Sequence, residues 1–252
     1  MGDSCLCSQG LTEIPLDLQS PRGLPELFGA SARLFWRYLW QFLLLAGVLV
    51  VPFEIVVLVA TNTVHGGNLT THQERRLLLL YAVDFVLVIP LVSALQAHAV
   101  LLIGQGQRPH LGEVFRRTLR TLPTVVAAWI ITSIGVGIGF VVFLIPGIWL
   151  LLRLYVVAQT TAIEGADWPT ALRRSFLLTR GSSWRILGTL VIIGLINLTL
   201  ENVLGHATSS NGDALADIVA VVVVLLAQSF SALVSALLYF DLRARERPSA
   251  SL

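Results

Sequence analysis

Three ionisable residues, Glu54, Asp84 and Arg153, interrupt long apolar runs and are the first candidates for chemistry in this chain. Ionisable groups inside a bilayer usually face a bundle interior and find partners. One guanidinium between two carboxylates can be neutralised, with the surplus acid protonated or wetted. Such a set can line a polar cavity or a proton-linked path, or serve only as an ion pair that holds helices together. Counting about 1.5 Å per residue from the ends of their segments puts the three at similar depth. Arg153 is therefore expected to contact at least one of the two acids.

The chain offers little else that can react. No Ser/His/Asp grouping, CxxC pair or phosphate-binding loop stands at a water-accessible place. Gly135-Val136-Gly137-Ile138-Gly139 looks like a piece of a nucleotide-binding fingerprint, but no strand precedes it. Gly135 and Gly139 read instead as a GxxxG face for close helix packing, with Ala232 and Ala236 as a looser version. His65, His72 and His206 fall on one side of the expected bundle, with a spacing that matches no zinc motif. The expectation is a protein without catalytic residues, metal or cofactor, and without a partner among nucleic acids.

The elements that must position these residues follow from composition. The chain has 252 residues, 55% hydrophobic and 13% charged, against about 25% charged in a soluble domain. Too little charge is present to cover a surface in water, so lipid is the solvent for most of the molecule. A hydrocarbon core needs about 20 apolar residues of helix. Six segments qualify, at 38–62, 76–103, 122–144, 148–164, 186–204 and 214–240. Leu144-Ile145-Pro146-Gly147 joins the third and fourth and predicts a tight reversal. Pro52 and Pro90 predict kinks in the first two.

Orientation follows from arginine, the only basic residue besides histidine. Arg22, Arg33 and Arg37 precede the first span, and Arg108, Arg116, Arg117 and Arg120 follow the second. Arg173, Arg174, Arg180 and Arg185 follow the fourth, and Arg243, Arg245 and Arg247 follow the sixth. Six spans put all fourteen on one side, so the positive-inside rule expects both termini in the cytoplasm and the protein in a cytoplasmic membrane. Residues 1–23 and 248–252 read as cytoplasmic tails around a six-helix domain at 24–247. The first tail holds Cys5 and Cys7 and shows neither the basic start nor the apolar core of a cleavable signal. Asn68-Leu69-Thr70 is a sequon on the opposite side.

The basic stretches resemble one another. Pro25-Glu26-Leu27-Phe28, Gly112-Glu113-Val114-Phe115-Arg116-Arg117 and Thr170-Ala171-Leu172-Arg173-Arg174 each open an amphipathic segment that leads into an apolar span. The fold class expected is all-α, with six transmembrane helices as three hairpins, each preceded by a cytoplasmic interfacial amphipathic helix. Three such units run parallel, with their pseudo-axis along the membrane normal. In the interface plane Leu172, Phe176 and Leu177 would face lipid, as would Val114, Phe115 and Leu119. Arg116, Arg117, Arg120, Arg173, Arg174, Arg180 and Arg185 would then face anionic head groups. Glu164 and Asp241 are expected to pair with arginines such as Arg173 or Arg185, and Arg243.

An ordered set of motifs carries a family resemblance. Ile145-Pro146-Gly147-Ile148-Trp149, Ala162-Ile163-Glu164-Gly165, Ala171-Leu172-Arg173-Arg174-Ser175, Leu178-Thr179-Arg180-Gly181, Trp184-Arg185 and Leu238-Tyr239-Phe240-Asp241-Leu242-Arg243-Ala244-Arg245 occur in that order. Over about residues 24–247 the chain is similar to the membrane domain attached to some bacterial glycerophosphodiester phosphodiesterases, and to stand-alone six-helix relatives. Those enzymes carry a separate soluble catalytic barrel, for which this chain has no room. The resemblance thus implies a membrane domain and no phosphodiesterase activity. The function expected is a non-enzymatic scaffold, partner or lipid-interacting component of a bacterial cytoplasmic membrane. A small transporter or channel around Glu54, Asp84 and Arg153 is the alternative.

Overall fold

The computed structural model describes residues 22–62, 71–107, 110–209 and 214–246. Cys5, Cys7, both tails, His65, the Asn68 sequon, Arg108 and Arg247 lie outside them, as do the side chains of His72 and His206. Among the described residues every regular element is helical. They are α1 (Leu24–Arg37), α2 (Leu39–Asn62), α3 (Thr71–Val83), a π-helical turn (Asp84–Val88), α4 (Ile89–Gly104), α5 (Leu111–Val142), α6 (Leu144–Leu154), α7 (Val157–Glu164), α8 (Trp168–Leu178), α9 (Ser183–Ser209) and α10 (Ala214–Glu246). A backbone in hydrocarbon must satisfy its own polar groups, and a helix does so within one segment. Six stretches are long and apolar enough to cross a membrane: Leu39–Ala60, Glu74–Gly104, Leu111–Val142, Leu144–Glu164, Ser183–Leu200 and Ile218–Glu246. They correspond one to one with the segments read from the sequence.

The breaks between and within these spans differ from the expected ones, each for a local reason. The third and fourth spans reverse at the single extended residue Phe143, not across residues 144–147. Pro146 sits in the first turn of α6, where its missing N–H costs no helical bond. Gly147 lies against Phe140, and a Cβ there would come within 2.6 Å of that ring. The fourth span is interrupted at Tyr155 and Val156, which divide α6 from α7. α2 runs through Pro52. Pro90 stands in the first turn of α4, just past the π turn, whose closing bond runs from the Ile89 N–H to the Asp84 carbonyl. That pattern leaves the Phe85 carbonyl without the Ile89 N–H it would accept in a regular helix, and the Trp129 indole N–H of α5 fills the vacancy at 2.7 Å.

The amphipathic stretches also depart from a uniform plan. α1 and α8 are separate helices, but Leu111 to Thr121 continues without interruption into its span as part of α5. Pro123 lies within α5 and does not end it. In the middle unit the amphipathic stretch and the span are therefore one unbroken helix. α1 is joined to α2 through Tyr38 alone and runs antiparallel along α10. Its start reaches Asp241 and its end, Phe35, stacks edge-on against Phe230. Gly165 at φ +61° ends α7, and Gly181 at φ +84° turns the chain between α8 and α9. The left-handed backbone explains glycine in two of the motifs noted above.

α4 and α10 stand in the middle, packed on each other and on α2; α4 also packs on α5 and α7, and α10 on α1 and α9. The core is concentrated toward the arginine-rich end of the bundle, where Leu27, Phe42, Leu95, Ile186, Leu237 and Tyr239 are fully buried. Toward the other end Val59, Leu79, Val141, Leu198 and Leu215 are exposed.

Candidate functional site

The three-residue set assembles only in part. Glu54 on α2 and Asp84 at the head of the π turn are half-buried and close enough for their charges to act on one another. Arg153 does not join them. α6 packs on α5, α8 and α9, whereas α2 packs on α1, α3, α4 and α10. Distance along the chain predicted depth but carried no information on which side of the bundle each residue faces. The guanidinium of Arg153 lies over Phe176 and Trp149, 5.2 and 5.7 Å from the ring centroids. Its Nε and Nη1 are buried without a hydrogen-bond partner. Its carbonyl, freed by the break at Tyr155, accepts from the hydroxyls of Ser175 at 2.9 Å and Thr179 at 3.2 Å. Two hydroxyls of α8 thus stand in for the lost helical bond.

The basic residues divide into two kinds. Asp241 is the centre of the first. Its Oδ1 accepts the Arg22 backbone N–H at 2.6 Å, and its Oδ2 accepts from Arg245 Nε at 3.1 Å. Arg185 Nε lies at 3.1 Å from the same oxygen as an ion pair without an aligned hydrogen bond. Arg245 Nη2 also donates to the Arg22 carbonyl at 2.8 Å. One carboxylate therefore ties the start of α1, α9 and α10 together. A second knot joins α7, α8 and α10, where Arg174 bridges Glu164 and Glu246 and the Tyr239 hydroxyl donates to Glu164 at 2.9 Å. The hydrogen bond to Glu246, with the nearby Glu164 charge, holds the Arg174 guanidinium above its usual range despite partial burial.

The pairing partners of the two acids are a partial correction. Asp241 takes Arg185 and Arg245 rather than Arg243, and Glu164 takes Arg174 rather than Arg173 or Arg185. Helical phase explains both changes. Arg245 lies one turn beyond Asp241 on the same face. Arg174 shares a face with the buried Ala171, Ser175 and Leu178, while Arg173 shares the exposed one with Leu177. Arg174 and Arg185 are consequently internal ties rather than head-group contacts. Arg116 and Arg117 pair with Glu113 on their own helix at 2.6 and 2.7 Å.

The second kind is free. Arg120, Arg173 and Arg180 are exposed and have no ion pair among the described residues. Two apolar grooves lie at the amphipathic segments. One, of about 420 Å³, runs between α6 and α8 and is lined by Leu150, Leu154, Leu172, Phe176, Leu177 and Arg173. The other, of about 320 Å³, lies between α2 and the start of α5 and includes Leu44, Val48, Leu111 and Phe115.

Glycine packing also differs from expectation. A Cβ on Gly139 would meet the Gly147 Cα at 3.0 Å, whereas one on Gly135 would meet nothing within 4 Å. The close contact therefore joins Gly139 to Gly147 across the α5–α6 reversal, and Gly135 takes no part. Ala232 and Ala236 are buried.

A group of buried polar residues went unnoticed in the sequence. Gln159 on α7 donates to Ser93 on α4 at 2.8 Å, and His98 Nδ1 lies 3.3 Å from the Thr118 hydroxyl of α5. Gln96 is fully buried with both ends of its amide unpartnered. The available signal was Ser93, Gln96 and His98 within one apolar run, since polar side chains in a span turn inward. No group of three or more metal-ligating side chains occurs among the described residues.

Six apolar helices with their polar side chains gathered inside and at one end define a multi-pass helical membrane protein. No protein-family model, curated protein or solved structure matches the chain.

Proposed function

We propose that the protein is a non-enzymatic integral membrane component that gathers anionic lipid around its basic end, acting as a scaffold or alongside a membrane-protein partner. The observation that carries this reading is exposed Arg173 in the wall of the apolar groove between α6 and α8, with Arg120 and Arg180 likewise exposed and without an ion pair among the described residues. The grooves accept acyl chains and the guanidinium groups accept phosphates. Each arginine near an anionic leaflet contributes about 1 kcal/mol. The finer architecture belongs to the same reading: three parallel hairpin units, an arginine-rich face in the cytoplasm of a bacterial cell, and both termini there. Kinship with the membrane domain of glycerophosphodiester phosphodiesterases is part of it, supported by the ordered motifs. A transporter or channel built on Glu54, Asp84 and Arg153 together gains no support, because Arg153 occupies another side of the bundle.

The test exchanges Arg120, Arg173 and Arg180 for Gln and measures the ratio of anionic to zwitterionic phospholipid captured with the protein from mixed vesicles. The wild type enriches anionic lipid, and the triple variant returns the ratio close to that of the vesicle. An unchanged ratio ends this reading.

A further inference from the structure

We propose that Arg153 receives the phosphate of one anionic phospholipid whose acyl chain lies in the groove between α6 and α8. The inference rests on the lipid reading above and narrows it from a basic surface to a single seat. An arginine in a protein stays charged, so Arg153 cannot escape burial by losing a proton. A charge buried without a partner is strongly unfavourable. Yet Nε and Nη1 of Arg153 are buried with no acceptor, and Trp149 and Phe176 supply ring faces but no anion.

No ion pair among the described residues includes Arg153. Glu164 and Glu246 are taken by Arg174, Asp241 by Arg185 and Arg245, and Glu113 by its own helix. Glu54 and Asp84 stand on α2 and the π turn, elements other than those packed on α6. Among the described residues, then, Arg153 has no carboxylate partner, and the anion proposed for it comes from outside the chain.

The groove says which anion. Phe176 belongs both to the stack over Arg153 and to the groove wall, so the two are neighbours through one side chain. Leu150 and Leu154, which bracket Arg153 on α6, form the opposite wall. Arg173 stands at the groove as a second cation without a carboxylate. Two cations and an apolar trough match a head group with net negative charge on a hydrocarbon tail. A guanidinium also presents its N–H groups as a fork suited to two phosphate oxygens. Ser175 and Thr179 bond the Arg153 carbonyl and hold the end of α8 against α6 beside it.

Native mass spectrometry of the detergent-purified protein, titrated with phosphatidylglycerol or phosphatidylcholine, tests the seat. The wild type keeps one phosphatidylglycerol at least tenfold more tightly than any phosphatidylcholine. Arg153→Gln abolishes that difference, and Arg153→Lys restores only part of it. Leu172→Trp fills the groove and loosens the same lipid while leaving Arg153 intact. Thermal unfolding in parallel shows phosphatidylglycerol raising the midpoint of the wild type but not of Arg153→Gln. An Arg120→Gln/Arg180→Gln variant still keeps the one tight lipid, so loss of the general anionic preference and loss of the seat are separate results. The proposal is overturned if Arg153→Gln and Leu172→Trp both hold phosphatidylglycerol as the wild type does, or if phosphatidylcholine is held equally. It is also overturned if glycerol phosphate, which lacks a tail, binds as tightly as the lipid.

Discussion

The arginine-rich end and the opposite end of the bundle are built on different principles. At the first, Asp241 and Glu164 each gather several partners, and side chains such as Leu237, Leu242 and Tyr239 are fully or almost fully buried. At the second, Val59, Leu79, Val141, Leu198 and Leu215 stand exposed, and Glu54 and Asp84 have no ion pair among the described residues. The difference shows where each end draws its stability. Lipid tails are as apolar as leucine, so helices in hydrocarbon gain little from burying apolar surface and need close packing or polar bonds to associate. The basic end has both, and the opposite end leaves its apolar faces to lipid.

Breaking the Asp241 knot should have the largest effect. Asp241→Ala leaves Arg185 and Arg245 without their acid and the Arg22 N–H without its acceptor. Removing one partner of a buried pair costs about 3–5 kcal/mol, a figure to be lowered here because Arg245 is partly exposed. The readout is thermal unfolding in detergent micelles.

A medium effect is expected where backbone meets backbone. Gly147→Ala drives a Cβ into the Phe140 ring and should cost about 1–3 kcal/mol of overpacking. Gly135→Ala, in open space on the same pair of helices, should leave the melting midpoint unchanged or slightly raised. Equal losses at the two positions would show that the α5–α6 contact is misassigned.

The smallest effect belongs to the opposite end. Glu54→Gln with Asp84→Asn replaces two half-buried acids that have no ion pair among the described residues, and should shift stability by less than about 0.5 kcal/mol or improve it. A loss comparable to that of Asp241→Ala would erase the contrast between the two ends.

What the sequence revealed follows the same division. Span number was legible because apolar length is a one-dimensional property, although the third span begins at Leu111 and not at residue 122. The position of Arg153 around the bundle was not legible, because residue counting measures height alone. Arg173 and Arg174 are adjacent in sequence yet face opposite ways, and only helical phase separates them. The inward stripe of Ala171, Ser175 and Leu178 held that phase, but the bulkier Leu172, Phe176 and Leu177 drew attention to the other face. The break at Tyr155 had no such signal: neither proline nor glycine marks it, and the hydroxyls that compensate it come from another helix.

The bond from the Arg22 N–H to Asp241 joins residues 219 positions apart. During synthesis the first hairpin therefore enters the bilayer long before its anchor leaves the ribosome. A chain that ends before Asp241 leaves Arg185 without this acid and α1 without the helix it packs along.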